Sequence, residues 1–208
     1  MKTQLRIASH SLLLAVALTL AVLPASAQDL YGNGPTDGNT DAGSISFGNM
    51  VSDAFVAHIQ TKANVKNNDV FWVPPGEPPT SVTWRFGTIP FSENIASGTS
   101  SLTVLSSVTN QFGYSVDTVS FSMGTLSLNA GTYWLTLENA TTAGGGSAYW
   151  DENSGPSQAE VIGIGSIALE SFTLESSPAA SVPEPGTLAL FGSGVVALAG
   201  VLRRRHSP

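Results

Sequence analysis

The chain has 208 residues, of which 42% are hydrophobic and only 11% charged, with a formal net charge of −7 and no cysteine. The lack of cysteine excludes a disulfide framework and thiolate chemistry. The acidic balance repels phosphate backbones and argues against nucleic acid as a partner.

In chain order, Lys2 and Arg6 come first, residues 12–23 are apolar, Pro24 breaks that run, and Ala25-Ser26-Ala27 supplies small residues at alternate positions. This is the pattern of a secretory signal peptide over residues 1–27, cut after Ala27 by signal peptidase, with Ala25 and Ala27 as the cleavage residues. The body that follows, residues 28–177, is long enough for one domain with a sizeable core. Its only basic residues are Lys62, Lys66 and Arg85, against fourteen acids.

Residues 29–43 are rich in Gly, Asn, Asp and Pro and read as an irregular lead-in. Short β-branched and aromatic runs then predict strands over 44–47, 50–59 and 70–73. Residues 62–69 are polar and contain Asn67-Asn68-Asp69, which predicts a turn between strands. Pro74, Pro75, Pro78 and Pro79 cannot donate to a ladder, so they end the 70–73 strand and shield a sheet edge. Over 81–86, Val82, Trp84 and Phe86 alternate with Thr83 and Arg85, the period of a half-buried strand. Residues 90–101 read as loop. Strands are predicted over 102–108, over 116–123 with Leu126 and Leu128 following, and over 132–138, where Tyr133, Leu135 and Leu137 share a face. Asn129-Ala130-Gly131 and Gly144-Gly145-Gly146 read as turns. Short strands over 148–150, 161–164 and 167–174 complete the body, and residues 178–181 form a small-residue linker. About ten short strands without an amphipathic helix predict an all-β fold, an antiparallel β-sandwich of jelly-roll or, alternatively, immunoglobulin-like type.

Little in the body points to catalysis. His58 is its one histidine, and it contains no Gly-x-Ser-x-Gly elbow; a triad would have to use His58, for which a partly exposed strand histidine is the plain reading, and one histidine without cysteine excludes a histidine-based metal centre. Asp151 and Glu152 are the adjacent acids flanked by aromatics, Tyr149 and Trp150. Neighbouring strand residues face opposite ways, so these two serve one hydrolytic site only from a loop, which Asn153-Ser154-Gly155-Pro156 favours. A second reading makes the segment a sugar contact, with Tyr149 or Trp150 stacking on a sugar face and Asp151 and Asn153 bonding its hydroxyls. A solvated turn is the plain reading. Asp37, Asn39 and Asp41 show the alternate-oxygen spacing of a calcium loop, but the twelfth position is Gly48 where such a loop wants Glu. A polar turn is the plain reading there and structural calcium the alternative; no other cofactor is expected.

The tail, residues 182–208, has three parts. Pro183-Glu184-Pro185 is an extended, φ-restricted triplet. Residues 187–202 carry no charge and as a helix would rise roughly 24 Å, a marginal span for a hydrocarbon core of about 30 Å. Arg203, Arg204 and Arg205 form a basic stop that holds the far end in the cytoplasm. In this order the parts resemble the PEP-CTERM sorting signal of Gram-negative bacteria. The resemblance implies an exported substrate of an exosortase, a membrane-embedded transpeptidase-like enzyme that cuts near the triplet and carries the catalytic residues itself. A plain C-terminal membrane anchor is the alternative. The body is similar to the β-sandwich regions found ahead of such tails, in Gly131-Thr132-Tyr133-Trp134-Leu135 and in Tyr149-Trp150-Asp151-Glu152-Asn153; that likeness implies fold and export but no reaction. The expected protein is exported, transiently anchored in the cytoplasmic membrane, and then associated with the envelope or extracellular matrix. Its expected role is structural or adhesive and non-catalytic, in contact with extracellular polysaccharide. The alternatives are a carbohydrate-binding module or a polysaccharide hydrolase or lyase.

Overall fold

The computed structural model describes residues 28–34, 36, 38, 41–58, 60–153 and 158–177. The expected signal peptide with Ala25 and Ala27, the candidate calcium residues Asp37 and Asn39, and the whole sorting tail, including its triplet, apolar segment and arginines, lie outside the described residues. Among the described residues there is no helix, and so none long and apolar enough to cross a membrane.

The described chain is all-β. Its strands are β1 (Gln28–Gly32), β2 (Ala42–Ser44), β3 (Met50–Ala57), β4 (Thr61–Val73), β5 (Pro79–Gly87), β6 (Ala96–Ser101), β7 (Thr103–Thr109), β8 (Ser115–Leu128), β9 (Gly131–Thr142), β10 (Tyr149–Asn153), β11 (Ala159–Val161), β12 (Gly165–Ile167), β13 (Leu169–Glu170) and β14 (Phe172–Ser177). They form two sheets, and every pairing is antiparallel. The smaller runs β12-β11-β3-β9-β5-β6. The larger runs β1-β14-β4-β10-β13, with β2 on β10, β8 on the other flank of β4, and β7 beyond β8.

The larger sheet is organised by β4. One edge pairs with β8 along its whole length; the other pairs with β14 over Asn64–Asp69 and with β10 at Phe71 and Trp72. The β8 register slips once, at Val65/Lys66, opposite Gly124, whose φ of 71° a side chain resists. Val65, Phe71 and Val73 of β4, Val119 and Phe121 of β8, and Phe172 and Leu174 of β14 are buried in the same cluster as Val51 and Phe55 of β3, Val82 and Phe86 of β5, and Leu135 and Leu137 of β9. Phe55 and Phe172, one from each sheet, stand 6.3 Å apart, so the two inner faces share one core.

The alternation over 81–86 and 132–138 appears as expected in β5 and β9. Other stretches differ. Residues 29–43 hold most of β1 and of β2: β1 pairs with β14, its Leu30 and Tyr31 packing against the core, and β2 pairs with β10. Residues 90–101 end in β6, an exposed serine- and glycine-rich edge paired to β5. The 167–174 run divides among β12, β13 and β14. The largest difference is at 62–69. These residues are not a turn but the interior of β4, with Asn67 and Asp69 0% and 1% exposed. Neighbouring strands on both flanks satisfy the backbone there, so polar composition does not break the strand.

Candidate functional site

Two places gather polar and aromatic side chains. The first is the outer face of the larger sheet. Val116, Trp72, Tyr149 and Ser44 lie in one cross-strand row from β8 through β4 and β10 to β2. Trp72 stands 5.8 Å from Phe112 and 6.1 Å from Tyr114, and Tyr114 stands 5.9 Å from Tyr149, so four rings from three parts of the chain cover this face. Phe112 is 57% exposed, Tyr114 and Tyr149 are half-buried, and Trp72 lies beneath them. The Trp72 indole N–H donates to Asp151 Oδ1 at 2.5 Å, and the Thr36 hydroxyl donates to Asp151 Oδ2.

β10 divides the candidate sugar and catalytic residues between two faces. Tyr149 and Asp151 lie outward, Asp151 fully buried beneath its neighbours. Trp150 has no exposed surface: its ring packs 5.7 Å from Phe172 in the core and its N–H donates to the Ser171 carbonyl. It therefore offers no face to a sugar. Asn153 is buried and donates to the Asn33 carbonyl. Asp151 and Glu152 sit in a strand rather than a loop, so they point to opposite sides and do not form one two-carboxylate site. Of the candidate calcium residues, Asp41 lies beside this strand, its carbonyl accepting from the Glu152 N–H at 3.0 Å.

The second place is between the sheets, and sequence reasoning missed it. Asp53 of β3, Asn67 and Asp69 of β4, Glu170 of β13 and Asn33 after β1 are each at most 1% exposed; Glu152 of β10 is 9% exposed. The Asn33 side-chain amide donates to Asp53 Oδ2 at 3.0 Å and to the Glu170 carbonyl at 2.6 Å. The Glu170 N–H donates to Asp53 Oδ2 at 2.8 Å, and the Asn67 amide to Asp69 Oδ2 at 2.8 Å. Glu170 and Glu152 are direct cross-strand partners, an unfavourable pairing for like charges. Neither carboxylate oxygen of Glu170 has a hydrogen-bond partner among the described residues, nor do Asp69 Oδ1 and Asn67 Oδ1. Burial, reinforced by the Asp53 charge, holds the Asp69 carboxyl well above the usual carboxylate range. Burial, then Glu152, Asp53, Asp151 and Asp69, does the same to Glu170. Burial, then Asp41 and Asp151, pushes Glu152 up as well. A signal was present in the sequence. Val65, Asn67, Asp69, Phe71 and Val73 alternate at period two, so carrying the 70–73 strand backwards places both polar residues inward.

Residues 181–205 match the PEP-CTERM protein-sorting motif. The chain carries a PEP-CTERM sorting tail. This motif marks an exported protein, recognised by an exosortase and sorted to the cell envelope. The match covers the Pro183-Glu184-Pro185 triplet and reaches Arg205, so the PEP-CTERM tail accounts for both ends of the expected signal. No curated protein matches the chain.

Proposed function

We propose that this PEP-CTERM protein is a β-sandwich of the envelope or extracellular matrix with a structural or adhesive, non-catalytic role. The observation that carries the reading is the pairing of the sorting motif with an all-β body in which the adjacent acids Asp151 and Glu152 are sent to opposite faces of one strand. Asp151 is held by Trp72 and Thr36, and Glu138 by Arg85, whose Nε stands 2.6 Å from Glu138 Oε1. Comparing cells with and without the exosortase tests it. The tail should be removed, and the body should leave the membrane fraction, only where the exosortase is present. Equal length and location in both strains would overturn the sorting part of the reading.

A second reading rests on the outer aromatic face. Rings of Phe112, Tyr114 and Tyr149 with exposed surface form a platform on which sugar faces can stack. In this reading the adhesive partner is extracellular polysaccharide. Calorimetry of the full chain against that polymer, beside Phe112→Ala and Tyr149→Ala, decides it. Heat that survives both substitutions removes the aromatic face as the binding surface.

A further inference from the structure

We propose that the cluster between the sheets is a site for a hard divalent cation of the calcium class, held by Glu170, Asp69 and the Asn67 side-chain carbonyl with Asp53 beside them. Among the described residues the charges there are one-sided. Asp53, Asp69, Glu152 and Glu170 face one another across the core, from both sheets. The basic side chains among the described residues lie elsewhere: His58, Lys62 and Lys66 are exposed, and Arg85 is paired with Glu138 and Glu93. Unbalanced charge in a core is costly, so the cluster is neutralised either by protons or by a bound cation.

Geometry favours the cation. Glu170 is fully buried and both its oxygens lack a hydrogen-bond partner among the described residues. A proton on it could serve one neighbouring oxygen at most and would leave the other bare oxygens of the cluster unsatisfied. Asp69 Oδ1 and Asn67 Oδ1, neighbours on the inner face of β4, are bare in the same way. A cation satisfies several such oxygens at once. All the donors are oxygens, with no histidine or cysteine in the set, which selects calcium or magnesium over zinc or copper. Calcium tolerates irregular and mixed carboxylate–carbonyl shells better than magnesium. Among the described residues no three His, Cys, Asp or Glu side chains are already gathered so as to hold a metal ion. Binding therefore requires the head groups to draw together. Gly43 borders the Glu170 carboxylate: a Cβ there would stand 3.0 Å from Glu170 Oε1. Export places the body where weak sites fill, with dissociation constants on the order of 10⁻⁴ to 10⁻³ M for extracellular modules.

The test is thermal unfolding and calcium titration calorimetry of the full chain in detergent micelles, in chelator and in calcium, for wild type, Glu170→Gln, Asp69→Asn and Glu160→Gln. Wild type and Glu160→Gln should bind one calcium and melt higher with it. Glu170→Gln and Asp69→Asn should lose both effects while melting in chelator no lower than wild type, which separates lost binding from lost folding. Absence of any calcium shift in wild type overturns the site and leaves protons as the neutralising species. A shift that persists in both variants and disappears in Asp41→Asn also overturns it, and moves the ion to the loop before β2.

Discussion

The two halves of β4 make opposite use of the same orientation. Towards its end, Phe71 and Val73 point into the shared core and are fully buried against apolar neighbours. A few residues earlier, Asn67 and Asp69 point the same way and are buried as deeply, but against other polar groups. β8 fixes the backbone of both halves, with β14 beside the polar half and β10 beside Phe71 and Trp72, so inward direction is a property of the ladder and not of the side chain. The apolar half stabilises by removing surface from water. The polar half costs free energy unless something neutralises it. That difference separates what holds the fold together from what the fold is holding in readiness.

The sharpest way to break the contrast is Phe71→Ala, which should lower stability by about 3–5 kcal/mol, read by denaturant unfolding. A loss below about 1 kcal/mol would mean that β4 does not anchor the core. Gly43→Ala comes next. The added methyl would meet Val51 Cγ2 at 2.9 Å and Glu170 Oε1 at 3.0 Å, an overpacking cost of about 1–3 kcal/mol, and should also weaken any calcium shift. Asp69→Asn in chelator should be the mildest, within about 1 kcal/mol of wild type or more stable, because it removes an uncompensated buried charge.

Acidity sharpens the same comparison. Asp69, Glu170 and Glu152 hold protons more tightly folded than unfolded, with Asp53, Asp41 and Asp151 as the acids facing them. The folded state therefore binds more protons across the window from the ordinary carboxylate range upward to the raised folded values. The stability these groups contribute is full below that window and lost as pH rises through it. Melting temperature in chelator should fall as pH rises from about 4 to 7, and Asp69→Asn should flatten that fall. A wild-type profile in chelator that rises over the same range would contradict the buried, uncompensated state of these groups.

Parts of the chain are legible from residue order alone. Val82-Trp84-Phe86 and Tyr133-Leu135-Leu137 repeat at period two and occupy the core as their spacing requires. The sorting tail is legible too, because its proline triplet, uncharged run and arginines are read locally by an enzyme and a membrane. The buried cluster is not. Asn67-Asn68-Asp69 has turn composition, and only the β8 and β14 ladders on either flank make it a strand. Asp151 and Glu152 mislead in the converse way. As neighbours in sequence they suggest a pair, and as neighbours in a strand they are sent to opposite faces.

The sequence by itself determined the class of the body, its lack of disulfides and its address, since each follows from composition, period or a contiguous motif. Only the tertiary structure decided which acids meet, because Asp53, Asp69 and Glu170 come from three strands in two sheets, and antiparallel register across those sheets is what turns them toward one another.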